Sequence, residues 1–200
     1  MIAIIKYSGG NVRSVLNAIA RLGLKGNVTS DASEILQADK VIFPGQGRAK
    51  PAMEDLNKQK LDEVIKKIEA PFLGICLGMQ LLLPFSEEDD TKCLGVIPGK
   101  VKRFPNQDTE GNKLNVPLIG WNNVKQKKDD PLFKDVPDNS YFYFVNSYYA
   151  DPESAAILGE TKYGLNFASV VKKDNYYGVQ FHPEKSGEVG EKLFKNFIGM

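Results

Sequence analysis

The stretch Pro71-Phe72-Leu73-Gly74-Ile75-Cys76-Leu77-Gly78-Met79-Gln80-Leu81-Leu82 carries one cysteine between an apolar run and a helical pattern. Gly74 and Gly78 lie two residues to either side of it. This spacing is typical of a nucleophile elbow, in which a strand turns sharply into a helix and presents a reactive side chain at the bend. Glycines suit the neighbouring positions because the tight turn brings backbone against backbone. The helix start also favours a thiolate at Cys76. The alternative is a buried structural cysteine.

The composition is that of an ordinary globular chain. Its 200 residues, of which 26% are charged, predict one domain over residues 1–200. The formal net charge of +1 gives no indication of nucleic acid or of an anionic membrane as a partner. No apolar run approaches the ~18 residues of a transmembrane helix. Residues 1–6 resemble a strand rather than a signal peptide, so we expect a cytoplasmic protein with reduced thiols.

Histidine and cysteine are scarce in this chain. It has one histidine, His182, and two cysteines, Cys76 and Cys93. A metal site built on clustered histidines and cysteines is therefore not expected, and neither is a cofactor. Cys93 matches no reactive pattern, and we expect a structural role for it.

The first part of the chain alternates between strands and helices. Buried strands are predicted at residues 2–6, 28–30, 40–43 and before Cys76, with helices beginning near residues 12, 32, 49 and 61. This alternation predicts an α/β fold in a single domain, with an open, mostly parallel sheet and helices on both faces. Ligands bind beyond the carboxyl ends of the strands in such sheets.

The second half is richer in β-formers. Residues 94–104 and 141–149 are predicted strands, and residues 167–171 and 176–181 are predicted to form a hairpin. A helix over residues 187–198 closes the chain. Residues 125–130 are interpreted as a solvated loop. The sequence therefore predicts a smaller antiparallel β portion here.

Several groups that acyl transfer requires lie at predicted strand ends. His182 follows the hairpin, and Glu184 comes two residues later, so the pair can supply a base and the carboxylate that orients it. The backbone N–H of Leu77 is one candidate donor to an oxyanion. The turn at Gly45 and Gln46 is another, although that stretch taken alone is better explained as an ordinary βα turn.

The chain resembles a known enzyme family. Residues 74–80 together with His182-Pro183-Glu184 resemble the class I, triad-type glutamine amidotransferases, whose fold is flavodoxin-like. Further stretches resemble the glutaminase subunits of imidazole glycerol phosphate synthase. These are residues 10–15, Pro44-Gly45-Gln46-Gly47, Gly120-Trp121-Asn122, residues 143–148 and residues 182–187.

The resemblance implies hydrolysis of L-glutamine to glutamate and ammonia. It makes Cys76 the nucleophile, His182 the general base and then acid, and Glu184 the orienting group. The glutamine contacts that it implies are Gln80, Glu88, Ser147 and Tyr148. The residues that it places at the partner interface and ammonia exit are Asn11, Trp121, Tyr143 and Lys185. The implied partner is a (β/α)₈-barrel cyclase subunit in a heterodimer, which makes imidazole glycerol phosphate and an aminoimidazole carboxamide ribonucleotide.

Two positions depart from the family pattern. Residue 146 is Asn where the family usually has His, and residue 46 is Gln where a small apolar residue is usual. Two other functions stay open. A paralogous subunit could supply ammonia to a different acceptor enzyme, for instance for amidation of a surface sugar. A non-catalytic module on the same fold is the other alternative, since a fold alone does not determine function.

Overall fold

The computed structural model describes residues 1–200 and contains thirteen strands and six α-helices. The strands are β1 (Ile2–Ile5), β2 (Gly26–Thr29), β3 (Lys40–Gly45), β4 (Phe72–Cys76), β5 (Phe85–Ser86), β6 (Thr91–Lys92), β7 (Gly99–Arg103), β8 (Leu118–Gln126), β9 (Ser140–Asn146), β10 (Tyr148–Pro152), β11 (Ile157–Tyr163), β12 (Leu165–Lys173) and β13 (Tyr176–Val179). The helices are α1 (Val12–Arg21), α2 (Ala32–Leu36), α3 (Ala49–Lys58), α4 (Leu61–Ile65), α5 (Leu77–Gln80) and α6 (Gly187–Ile198). No helix is long and apolar enough to cross a membrane.

All strands belong to one open sheet. Its main path runs β2-β1-β3-β4-β13-β12-β10-β7-β5-β6, while β11 joins β12 to β8, and β8 pairs with β9. The strands from β2 to β13 on this path pair in parallel. The predicted α/β class and open sheet are confirmed.

Helices cover both faces of the parallel part. Ile4 of β1 belongs to an apolar cluster that includes Ile19 of α1 and Phe194 of α6. The next residue, Ile5, belongs to a second cluster with side chains of α2, α3 and α4. Because successive side chains of a strand point to opposite faces, the two clusters lie on opposite sides of the sheet.

The antiparallel portion is larger than the sequence predicts. It consists of the eight strands from β5 to β12, whereas the parallel part has the five strands β1 to β4 and β13. Both β8 and β11 were missed, and the loop predicted at residues 125–130 overlaps the end of β8. The reason is that buried and exposed residues are interspersed along these strands, so glycine and lysine dilute the apolar signal.

Three strand ends meet at one edge of the sheet. Gly45 of β3 pairs with Cys76 of β4, so β3 continues through the Pro44-Gly45 stretch that was predicted as a turn. On the other side of β4, Val179 of β13 pairs with Ile75. The register therefore brings the predicted oxyanion stretch, the cysteine and the segment that leads to His182 to the same edge.

Candidate active site

Cys76 lies at a strained bend between β4 and α5. Its φ of 55° and ψ of −112° lie outside the regions that residues other than glycine usually adopt. Close backbone contacts impose this bend. A Cβ on Gly78 would lie 2.0 Å from the Phe43 carbonyl oxygen, and one on Gly45 would lie 2.1 Å from the Gly78 nitrogen. Glycine is required at both positions because the end of β3 presses directly on the first turn of α5.

The cysteine, the histidine and the glutamate are buried together. The imidazole of His182 lies beside the thiol of Cys76 at the same cavity, and its Nδ1 lies 2.8 Å from Glu184 Oε1. All three side chains are buried. The imidazole thus has a thiol on one side and a hydrogen-bonded carboxylate on the other, which is the order of groups by which a base activates a nucleophile while a third group orients it.

His182 favours its protonated form. Burial alone would lower the pKa of the imidazole, but its interactions with the neighbouring Cys76 and Glu184 raise the pKa to about 10. At neutral pH this environment favours the imidazolium form of His182. The second carboxylate oxygen of Glu184, Oε2, is buried and has no hydrogen-bond partner.

Backbone contacts fix the position of the histidine. The His182 N–H donates to the Tyr143 carbonyl of β9 at 2.8 Å, and the Ser186 hydroxyl donates to the His182 carbonyl at 2.6 Å. The Tyr143 N–H in turn donates to the Ser186 hydroxyl oxygen at 3.0 Å. The segment after β13 is therefore held to β9 on both sides of the imidazole.

A cavity of about 280 Å³ opens onto these groups. That volume is near the lower end for small-molecule sites and suits a compact ligand. Its lining includes Cys76 and His182 and the following predicted residues: Gln46, Leu77, Gln80, Glu88, Ser147, Tyr148 and Lys185.

Comparison with known proteins gives the family. The family model described as glutamine amidotransferase class-I matches residues 3–200. The chain belongs to the class-I glutamine amidotransferases.

Within this family, curated relatives match the amidotransferase chain over nearly its whole length. The imidazole glycerol phosphate synthase subunit HisH of Methanocaldococcus jannaschii is 48% identical, covering 99% of this chain and 98% of its own. The HisH subunit of Maridesulfovibrio salexigens is 46% identical, covering 98% of this chain and 95% of its own. The chain is thus a member of the HisH group.

Solved structures share the amidotransferase fold at lower identity. A glutamine amidotransferase from Thermotoga maritima superposes with a TM-score of 0.61 at 19% identity, covering 99% of this chain and 82% of its own. The glutaminase domain of Trypanosoma brucei CTPS with bound acivicin gives a TM-score of 0.65 at 17% identity, covering 99% of this chain and 93% of its own. These similarities establish the fold.

The residues predicted to contact glutamine surround the cavity. Gln80 Nε2 donates to the Tyr148 carbonyl and to Gln180 Oε1, each at 3.0 Å. Glu88 Oε2 accepts the Ala49 N–H at 2.7 Å, at the start of α3. Burial raises the pKa of this carboxyl, and the hydrogen bond from Ala49 opposes the increase.

The predicted oxyanion donors are not all directed at the cavity. The Gln46 N–H donates to the Gly9 carbonyl oxygen, so in this conformation it is not free to bind an oxyanion in the cavity. Gly45 lies in β3 against Gly78. Leu77 is the first residue of α5, where a backbone N–H has no acceptor within the helix. In this conformation the N–H of Leu77 lies next to Cys76, whereas the Gln46 N–H is bonded to Gly9.

The predicted interface residues lie in different settings. Trp121 and Tyr143 pair across β8 and β9, with ring centroids 6.0 Å apart. Lys185 is exposed at the cavity rim. Asn11 caps α1, its side chain accepting the Ser14 N–H at 3.4 Å.

Sequence reasoning missed part of this surface. Ile119, Tyr141 and Val145 stand on the same face of β8 and β9 as Trp121, and with it they form a patch of large exposed apolar side chains. Alternation of apolar residues at 119 and 121 and at 141, 143 and 145 was the available signal. We call Ile119, Trp121, Tyr141, Tyr143 and Val145 the β8–β9 face.

Two further residues clarify the site. Asn146 is buried, and its Nδ2 donates to the Tyr148 carbonyl at 2.9 Å, while its Oδ1 has no partner.

Burial, and secondly the charge of Glu88, raises the pKa of the Cys93 thiol to about 12. Cys93 is therefore a neutral thiol at physiological pH, unsuited to nucleophilic attack.

Proposed function

We propose that this chain hydrolyses L-glutamine to glutamate and ammonia as the glutaminase subunit of imidazole glycerol phosphate synthase. The observation that carries the proposal is the position of His182, which lies beside Cys76 at the strained bend and is hydrogen-bonded to Glu184. The similarity to HisH subunits over nearly the full length supports it.

The reaction follows from the positions of these groups. The Cys76 thiolate attacks the side-chain amide carbon of glutamine, a C–S bond forms, and negative charge develops on the amide oxygen. His182 then gives its proton to the amide nitrogen, the C–N bond breaks, and ammonia leaves a thioester behind. The neutral imidazole takes a proton from water, the hydroxide attacks the thioester carbon, and the C–S bond breaks to release glutamate.

Charge on the amide oxygen calls for two hydrogen-bond donors. Leu77 supplies one N–H from the start of α5. In this proposal the second comes from Gln46 after its peptide turns away from the Gly9 carbonyl. The hydrogen bond between Gln46 and Gly9 would thus hold the chain in a less active conformation.

The partner in this proposal is the (β/α)₈-barrel cyclase subunit. The β8–β9 face exposes 55% of Trp121 and 60% of Tyr141, a large apolar area for a chain that functions alone. Docking there, with Lys185 and Asn11 at its edge, would bring the cyclase near the cavity so that ammonia passes directly to it. We place the chain in the cytoplasm, because its two cysteines, Cys76 and Cys93, are both unpaired, as is usual for proteins of a reducing compartment.

Covalent labelling tests the proposal. A glutamine-mimicking electrophile should modify Cys76 and abolish glutamine hydrolysis in proportion to labelling, read by mass spectrometry of the cysteine peptides. The matched control is Cys93→Ser, which removes the other thiol and should label and turn over like the wild type. Activity that persists in fully labelled protein, or that is lost in step with labelling of Cys93, would contradict the assignment.

A further inference from the structure

Gln180 contacts the cysteine sulfur from a fully buried position. Its Nε2 lies 3.7 Å from Cys76 Sγ, within the range of a hydrogen bond to sulfur. Its backbone N–H donates to the Ser169 carbonyl at 2.9 Å, immediately after β13. The sheet therefore holds this side chain against the nucleophile.

The orientation of the Gln180 amide is determined by its neighbour. Gln80 Nε2 has two N–H groups, and it donates one to the Tyr148 carbonyl and one to Gln180 Oε1. Because Gln180 accepts at its oxygen, its own NH₂ group faces Cys76. Reversing the Gln180 amide would place its NH₂ group against that of Gln80 in a buried site. Buried donors would then lack acceptors, and the desolvation free energy of these groups would not be recovered.

We infer that Gln180 is a positioning residue that donates a hydrogen bond to the Cys76 thiolate, with Gln80 holding the donor towards the sulfur. The inference rests on the proposed function, in which Cys76 is the nucleophile. A donor favours the thiolate over the thiol because hydrogen bonds to an ionised acceptor are the stronger ones. The Cys76 thiolate is then stabilised both by His182 and by the Gln180 amide, an uncharged group that neither gains nor loses a proton.

A chain of contacts follows from this arrangement. Tyr148 lines the cavity where the glutamine substrate is expected, and its carbonyl is the first member of a relay through Gln80 and Gln180 to the sulfur. A purely structural role for Gln180 would require only its acceptor to Gln80. The two roles therefore differ in whether loss of the Gln180 NH₂ group changes the ionisation of Cys76.

Alkylation of Cys76 as a function of pH separates the two roles. Iodoacetamide reacts with the thiolate, so the pH midpoint of the alkylation rate, read at the Cys76 peptide of the full chain, reports its formation. Gln180→Met, close in volume but without the donor, should raise this midpoint by about one pH unit, a tenfold loss of thiolate below it. Gln180→Glu keeps the acceptor for Gln80 and puts a carboxylate beside the sulfur, so its midpoint should rise at least as far.

Thr161→Val is the matched control for loss of a buried hydrogen bond. The Thr161 hydroxyl donates to Ser169 Oγ at 2.8 Å within the same sheet and does not contact the cysteine. Its alkylation midpoint should equal that of the wild type.

Two results would overturn the inference. One is a wild-type midpoint in folded Gln180→Met, and the other is a wild-type midpoint in Gln180→Glu, which would assign Gln180 to the support of Gln80 alone. If Gln180→Met does not fold, Gln180→Leu, which also lacks the donor and adds no charge, takes its place. Glutamine hydrolysis that survives complete alkylation of Cys76 would instead refute the proposed function, while the midpoints would still report on Gln180.

Discussion

His182 is the only histidine in the chain, so its proton can be followed by NMR as a single imidazole signal. The groups that raise its pKa are Cys76 and Glu184. We therefore expect its titration midpoint to lie well above pH 6.5 in the wild type. The midpoint should fall in Glu184→Gln, because this substitution removes the carboxylate that helps to raise the pKa. A wild-type midpoint at or below 6.5 would contradict this electrostatic account, as would one that Glu184→Gln leaves unchanged.

The same shift links folding to pH. Because the folded pKa of His182, about 10, lies above its ordinary value of 6.5, the resulting stabilisation is complete below pH 6.5 and is lost as pH rises through 10. The difference in free energy of unfolding between wild type and Glu184→Gln should accordingly be largest near pH 6 and shrink at alkaline pH. Urea denaturation across this range measures it.

Some of these residues can be predicted from local sequence, and others cannot. Cys76 and His182 are recognisable because a strand end and a short spacing to glycine or glutamate are local features. The contact of Gln180 with the sulfur depends on Gln80, which lies 100 residues away in the chain. The direction of the Gln46 N–H depends on a backbone torsion that side-chain identity does not determine.

At the scale of elements, the elbow depends on contact between the end of β3 and the start of α5. Gly78→Ala would place a Cβ 2.0 Å from the Phe43 carbonyl oxygen, and backbone atoms cannot yield as a flexible side chain can. We expect a loss of ~3 kcal/mol or more in the free energy of unfolding, measured by urea denaturation.

Gly10→Ala is the control for that substitution. The nearest atoms to its new Cβ are 3.4 Å away, an ordinary contact, so its stability should be unchanged or slightly higher. Equal stabilities for the two variants would show that the close approach of β3 and α5 does not constrain the bend.

Elements with strong patterns are predicted well from this sequence. α6 begins and ends as predicted at residues 187 and 198, and the hairpin of β12 and β13 is confirmed. β8 and β11 were missed because their partners, β9 and β12, are what stabilise them. Pairing between strands overrides a weak local preference in such cases.

At the scale of the whole molecule, the segment that carries His182 is tied to the β8–β9 face. The backbone of Tyr143 bonds to both His182 and Ser186, while its ring packs against the exposed Trp121. A partner that binds this face would therefore contact the same strand that positions the His182 imidazole. This continuity gives docking a physical route to the site.

Glutamine turnover by the isolated chain, compared with turnover after addition of the cyclase together with an acceptor analogue, measures whether partner binding completes the oxyanion hole. Release of the Gln46 N–H from Gly9 adds one oxyanion donor, so kcat should rise by about 10²–10³ with little change in KM. Trp121→Ala, on the β8–β9 face and away from the cavity, should keep the rate of the isolated chain and lose much of the rise in kcat. Full activity of the isolated chain, or a partner effect confined to KM, would contradict the account.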